Sequence, residues 1–155
     1  MPALAILLSL LGLIPFIVCG LGALAPDTGT AAFMLSAFIG YAALILTFAG
    51  ATHWGFELQA PQEDRFIRRA RLGIPIASLL AGWLALLLPL LAPAWVALLL
   101  LIAAYVAAIL LEQQAARGSL LPGHYLWLRW AFTVVALAML VTVLTLRLLG
   151  QTVNI

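Results

Sequence analysis

From Ala31 to Phe56 the chain carries no Asp, Glu, Lys or Arg, a longer stretch than the roughly 20 apolar residues a helix needs to cross the hydrocarbon core of a bilayer. Four more apolar runs follow the same logic, from about Ala3 to Ala25, Leu72 to Leu91, Ala94 to Leu111 and Tyr125 to Leu148. Lipid offers no partner for an unpaired N–H or C=O, so helix is the only open choice. The ten-residue alternation of a membrane β-barrel is absent. The predicted fold is therefore an all-α integral membrane protein, one bundle of five transmembrane helices. The connections "PDTGT", "ELQAPQEDRFIRRAR", "LAP" and "EQQAARGSLLPGH" leave no room for a soluble catalytic module. Residues 1–155 are expected to form a single domain. Pro15, Pro75 and Pro89 fall within or at the ends of spans, where membrane helices tolerate kinks.

Composition excludes the soluble alternative. Hydrophobic residues make up 66% of the chain and charged residues 8%, with a mean hydropathy of +1.23, whereas soluble domains carry about 25% charged residues. The pI of 9.2 would point to nucleic acid in a soluble domain, but here the net charge is only +2. The basicity is a topology signal, and no nucleic-acid partner is expected. Arg65, Arg68, Arg69 and Arg71 lie between spans two and three and Arg117 between four and five, against Arg147 alone near the other end. The positive-inside rule then places the N-terminus in the cytoplasm and the C-terminus outside. The first span has nothing basic before it and exceeds a signal core of about 7–15 residues, so it is read as a membrane helix. Cys19, the single cysteine, sits in an apolar run and reads as a small packed side chain.

Orientation brings the scattered polar residues to one depth. His53 and Glu57 end span two, Glu112 ends span four, His124 precedes span five and Arg129 lies about one turn inside it. Within span two, Ser36, Gly40, Ala43, Thr47, Gly50 and Trp54 recur at four and three residues, a stripe of mostly small residues that lets a neighbouring helix approach closely. Ala104, Ala108 and Glu112 share one face of span four, and Arg129, Thr133 and Ala136 one face of span five. If these faces meet, His53, Glu112 and Arg129 converge at the cytoplasmic mouth of the bundle. Each residue also has a plainer reading: the glutamates as boundary charges, Arg129 as a lipid-phosphate anchor, His124 as a headgroup-level imidazole, His53 as a helix-to-helix hydrogen bonder. Trp54, Trp127, Trp130 and Tyr125 read first as an interfacial aromatic belt.

Taken in order, "LGLIPF" at 11–16, "YAALILTFAGATHWG" at 41–55, "GIPIASLLAGWLALLL" at 73–88 and "LPGHYLWLRWAFT" at 121–133 resemble the small integral-membrane family of unknown function that includes the mitochondrial transmembrane protein sixty-nine. The features carrying the resemblance are Tyr41, Trp54 with Gly55, Gly73 with Pro75, and Leu128 with Arg129. The chain departs from that pattern in "PGHY" and in having Glu112 where an aspartate is expected. The resemblance implies a multi-pass protein of the bacterial inner (cytoplasmic) membrane and supplies no established activity.

Two function classes follow. In one, a cytoplasm-facing pocket binds or moves a small solute, ion, proton or lipophilic ligand, with His53, Glu112, Arg129, Glu57, Tyr41 and Trp54 as its residues. In the other, the chain is an interaction or assembly subunit whose partner is another membrane protein. In both, the lipid bilayer surrounds it. Catalysis ranks third: there is no Ser-His-Asp order, Cys-His pair or HExxH. His53 and Glu57 supply at most two metal ligands where a site needs three or four, and His124 lies outside the span that a two-histidine haem would require. No metal and no cofactor are expected.

Overall fold

The computed structural model describes residues 3–59, 65–117 and 123–152. They form five helices in chain order: α1 Ala3–Gly22, α2 Thr28–Gln59, α3 Arg65–Leu91, α4 Ala94–Arg117 and α5 Gly123–Thr152. There is no strand among the described residues. Four helices contain stretches long and apolar enough to cross a membrane: Thr28–Gly55, Leu72–Leu91, Ala94–Gln114 and Trp127–Gly150. In α1 the described apolar stretch, Leu10–Gly22, is shorter. The expected five helices are present, four of them of spanning length.

Local chemistry sets the ends. Asp27 caps α2: its carboxylate Oδ2 accepts the Thr30 backbone N–H at 2.7 Å and its carbonyl accepts that of Ala31 at 2.9 Å. Hydrogen bonds from the Thr30 hydroxyl and backbone hold that exposed carboxyl below its ordinary range. The cap starts α2 three residues earlier than hydrophobicity alone places it. At the opposite boundary α3 begins at Arg65 and α4 runs to Arg117, because a helix has no reason to stop where its lipid-facing stretch ends. Pro93 lies in the tight connection where α3 gives way to α4.

The α2 helix is the organising element, packed against α1, α3 and α4; α5 closes on α4 and α1. α1, α2, α4 and α5 thus form a ring, with α3 laid against α2 and α4. Phe16, Phe38, Leu46, Leu101, Tyr105 and Leu140 fill its core. Phe33, Phe48, Leu90, Leu91 and Trp127 are exposed, an apolar outer surface that suits contact with lipid. Where lipid is as apolar as leucine, close packing and hydrogen bonds hold helices together. The Tyr105 hydroxyl donates to the Ala42 carbonyl at 2.9 Å, tying α4 to α2. Phe16 packs tilted on Phe38 with ring centroids 4.7 Å apart.

Along the α2–α3 seam the two helices approach closely. A Cβ built on Gly82 would lie 3.0 Å from Thr47 Oγ1 and 3.1 Å from the Ala43 carbonyl, and one on Gly50 would lie 2.6 Å from Ser78 Cβ. Beyond Gly50 the Trp54 indole N–H donates to the Leu72 carbonyl at 3.2 Å. The small-residue stripe of α2 from Gly40 to Trp54 therefore faces α3, with Gly40 opposite Leu86. Ser36 stands outside the seam, exposed and donating to the Ala32 carbonyl of its own helix.

Candidate functional site

At the end of the bundle where α2 finishes and α5 begins, three helices each turn one ionisable side chain inward. Glu112 of α4 is buried, its side chain only 2% exposed, against 6% for His53 of α2 and 10% for Arg129 of α5. Arg129 Nε donates to Glu112 Oε1 at 2.7 Å, the short separation of a charge-assisted hydrogen bond. His53 Nε2 stands 3.7 Å from the same oxygen. Both cationic or donor groups thus address Oε1, and the other carboxylate oxygen, Oε2, is buried without a hydrogen-bond partner among the described residues. One turn deeper, buried Thr133 donates its hydroxyl to the Arg129 carbonyl at 2.9 Å, so its proton is committed within α5. The small residues of α4 and α5 explain the fit. Ala104 and Ala108 lead up to Glu112 along α4, and Ala136 lies fully buried below Thr133 on α5.

Arg129 also forms part of the wall of a cavity of about 460 Å3 bounded by α1, α2 and α5. That volume lies within the range of roughly 300–1,000 Å3 typical of small-ligand sites. Its other walls are mostly apolar: Ile45, Ala49, Leu128 and Phe132 line it, with Thr52 as a further polar residue on α2. Leu44 and Phe48, which are 64% and 76% exposed, also line it and form its lip on the outer surface of the bundle. Tyr41 and Gly12 lie at the far end, where the tyrosine hydroxyl donates to the Gly12 carbonyl at 2.8 Å.

The cavity exists because α1 packs unevenly. In its second half Phe16 is fully buried, and Gly20 lies so close to Met139 of α5 and Phe38 of α2 that an added Cβ would displace the end of the methionine side chain. At Gly12 a Cβ would meet nothing within 4 Å, while Leu7, Leu10 and Leu11 are exposed. The space between α2 and α5, filled in one half of the bundle, is left open in the other.

Of the residues singled out from the sequence, His53, Glu112 and Arg129 meet in one cluster and Tyr41 lies on the same cavity as Arg129. Trp54 is half exposed and bonded toward α3, on the other side of α2. The side chains of Glu57 and His124 lie outside the described residues. Sequence reasoning missed Gly12, Phe48 and Thr52. The only available signal was that Tyr41, Ile45, Phe48, Ala49 and Thr52 share one helical face of α2, and nothing in their chemistry distinguishes that face from one packed against a helix.

Helices of spanning length, an outward apolar surface and an inward-turned polar cluster define a multi-pass helical membrane protein. Within that class, the family model for a protein of unknown function, DUF3429, matches residues 1–145. The chain belongs to that family. No curated protein and no solved structure matches it.

Proposed function

We propose that this protein is a membrane-embedded binding protein for a lipophilic ligand, which lies in the cavity between α1, α2 and α5 with its polar end at Arg129. The observation that carries this reading is the double role of Arg129, which lines the cavity and at the same time bonds Glu112 beside His53. An apolar chamber with a few convergent polar groups is the usual form of a small-molecule site. His53 and Glu112 support Arg129 from behind and Tyr41 closes the far end, while Trp54 acts by sealing α2 on α3. In this reading residues 1–155 act as one domain of a bacterial inner-membrane protein, kin to the mitochondrial transmembrane protein sixty-nine, with the polar cluster facing the cytoplasm.

The test uses the purified full-length protein in mild detergent, with bound lipophiles released and identified by mass spectrometry. A retained lipophile is expected, and Gly12→Phe, which places a ring in open space, should abolish its retention while leaving the melting temperature nearly unchanged. Retention equal in both proteins, or none in either, would remove the reading; stable co-purification of one membrane protein alongside an empty cavity would favour the assembly-subunit role instead.

The orientation is tested separately. A reporter cysteine replacing Asp64 in the arginine-rich loop is expected to be shielded from an impermeant reagent in intact cells, and one appended after Ile155 to be labelled. The reverse pattern would place the cluster on the outer side.

A further inference from the structure

The sign of the charge at the cavity wall, its volume and its lip together narrow the occupant. We infer that it is a single-chain amphiphile with a carboxylate head, drawn from the surrounding lipid, and that Glu112 is a built-in competitor for the same arginine. This rests on the binding reading above.

Arg129 is the charged residue on the cavity wall, so the ligand's polar end is an anion. A guanidinium presents five N–H donors in a planar fork, and the one side-chain bond of Arg129 among the described residues uses Nε. The donors on its terminal nitrogens are suited to a second two-oxygen group. A carboxylate can place its two oxygens on the terminal N–H groups, and as a monoanion it adds less uncompensated charge beside the paired Arg129 and Glu112 than a dianionic phosphate would. At the other end the Tyr41 hydroxyl is committed to the Gly12 carbonyl, and the wall between is apolar, so the remainder of the ligand is hydrocarbon. About 460 Å3 accommodates one chain rather than the two of a bilayer phospholipid. The exposed lip at Leu44 and Phe48 faces the membrane and gives access from the side. Glu112 Oε1 already neutralises Arg129, so an incoming carboxylate binds against that pairing, and removing the glutamate charge should strengthen it.

The decisive measurement is equilibrium binding of tritiated oleate to the full-length protein in nanodiscs of uncharged phosphatidylcholine, compared with oleyl alcohol, oleylamine, butyrate and phosphatidate as competitors. Oleate should bind about tenfold or more tightly than oleyl alcohol, because a hydrogen bond to a charged group typically contributes one to two decades of affinity. Oleylamine and butyrate should compete weakly. Arg129→Met should erase the difference between acid and alcohol, Glu112→Gln should widen it, and Gly12→Phe should weaken both. The wild-type comparison stands even where a charge variant folds poorly. Equal binding of acid and alcohol would overturn the anionic head while leaving a lipophile site intact; so would a difference unchanged in Arg129→Met. A narrower difference in Glu112→Gln would make the glutamate a positioning residue and overturn the competition. Butyrate as effective as oleate would overturn the lipid source, and phosphatidate displacing oleate more strongly than oleate itself would overturn the single-chain carboxylate. If neither acid nor alcohol binds the wild type, the binding reading itself fails.

Discussion

Replacing Gly50 by leucine is expected to lower the unfolding temperature in detergent by several degrees. Even the first added carbon would lie 2.6 Å from both Cβ and Oγ of Ser78 and 3.4 Å from the Pro75 Cα. Ser78 Cβ cannot rotate away, and Pro75 is backbone, so α2 and α3 must separate along the seam that also holds Ala43 and Thr47 against Gly82. Overpacking of this kind costs about 1–3 kcal/mol, and in chains of roughly this length each kcal/mol shifts the midpoint by about 2–4 °C. Gly55 on the same helix is the control: a Cβ there meets nothing within 4 Å, so Gly55→Leu should change the midpoint little. A Ser78→Gly change should restore part of the loss in Gly50→Ala by removing the atoms that Cβ strikes. An unchanged midpoint in Gly50→Leu would mean that the two helices do not touch at this level.

The seam was readable in the sequence because its logic is one-dimensional. Small residues at spacings of four and three mark one face of a helix wherever it goes, and in lipid such a face has few uses besides close packing. Spans were readable for a similar reason, since run length and bilayer thickness fix each other. Helix ends were less so. Hydropathy marks where the membrane ends, whereas the backbone follows caps and propensities: Asp27 starts α2 before the apolar run, and "EQQAAR" carries α4 to Arg117. The outermost member of the stripe, Ser36, is exposed and bonds the Ala32 carbonyl of its own helix instead of packing in the seam, which no spacing rule encodes.

The charged cluster was readable from depth alone. An ionisable group within an apolar run is costly unless partnered, and three such groups on helices of alternating direction reach the same level, so His53, Glu112 and Arg129 had few places to go but toward one another. The cavity was not readable. It is defined by what fails to fill it, a glycine at position 12 and an α1 half that packs less closely than the half holding Phe16 and Gly20. Those properties arise from how far α1 sits from α5. The apolar face of α2 from Tyr41 to Thr52 reads the same whether a helix or empty space lies opposite.

The second large effect expected is at the ion pair. Arg129→Met and Glu112→Gln should each destabilise the protein strongly, and the double substitution should be less harmful than the sum of the two. Glu112 is almost wholly buried, with one oxygen unpartnered among the described residues and the other bonded by Arg129 at 2.7 Å. Removing the arginine leaves that carboxylate with the His53 ring, 3.7 Å away and beyond hydrogen-bond distance, in place of a bonded guanidinium. Removing the carboxylate leaves a guanidinium with a mostly apolar cavity on one side. Breaking a buried pair from one side costs about 3–5 kcal/mol, while replacing both members by uncharged groups is often close to neutral; the difference should appear as a favourable coupling of about 0.5–3 kcal/mol between contacting residues. The measurement is the melting midpoint of the four proteins in one detergent. His53→Ala should cost less than either single change, since its ring stands beyond hydrogen-bond distance of the oxygen that Arg129 already occupies. Strict additivity between positions 112 and 129 would separate them energetically, make Arg129 an anchor for lipid phosphate rather than a partner of the buried glutamate, and take from the proposed ligand site the ion pair from which it was argued.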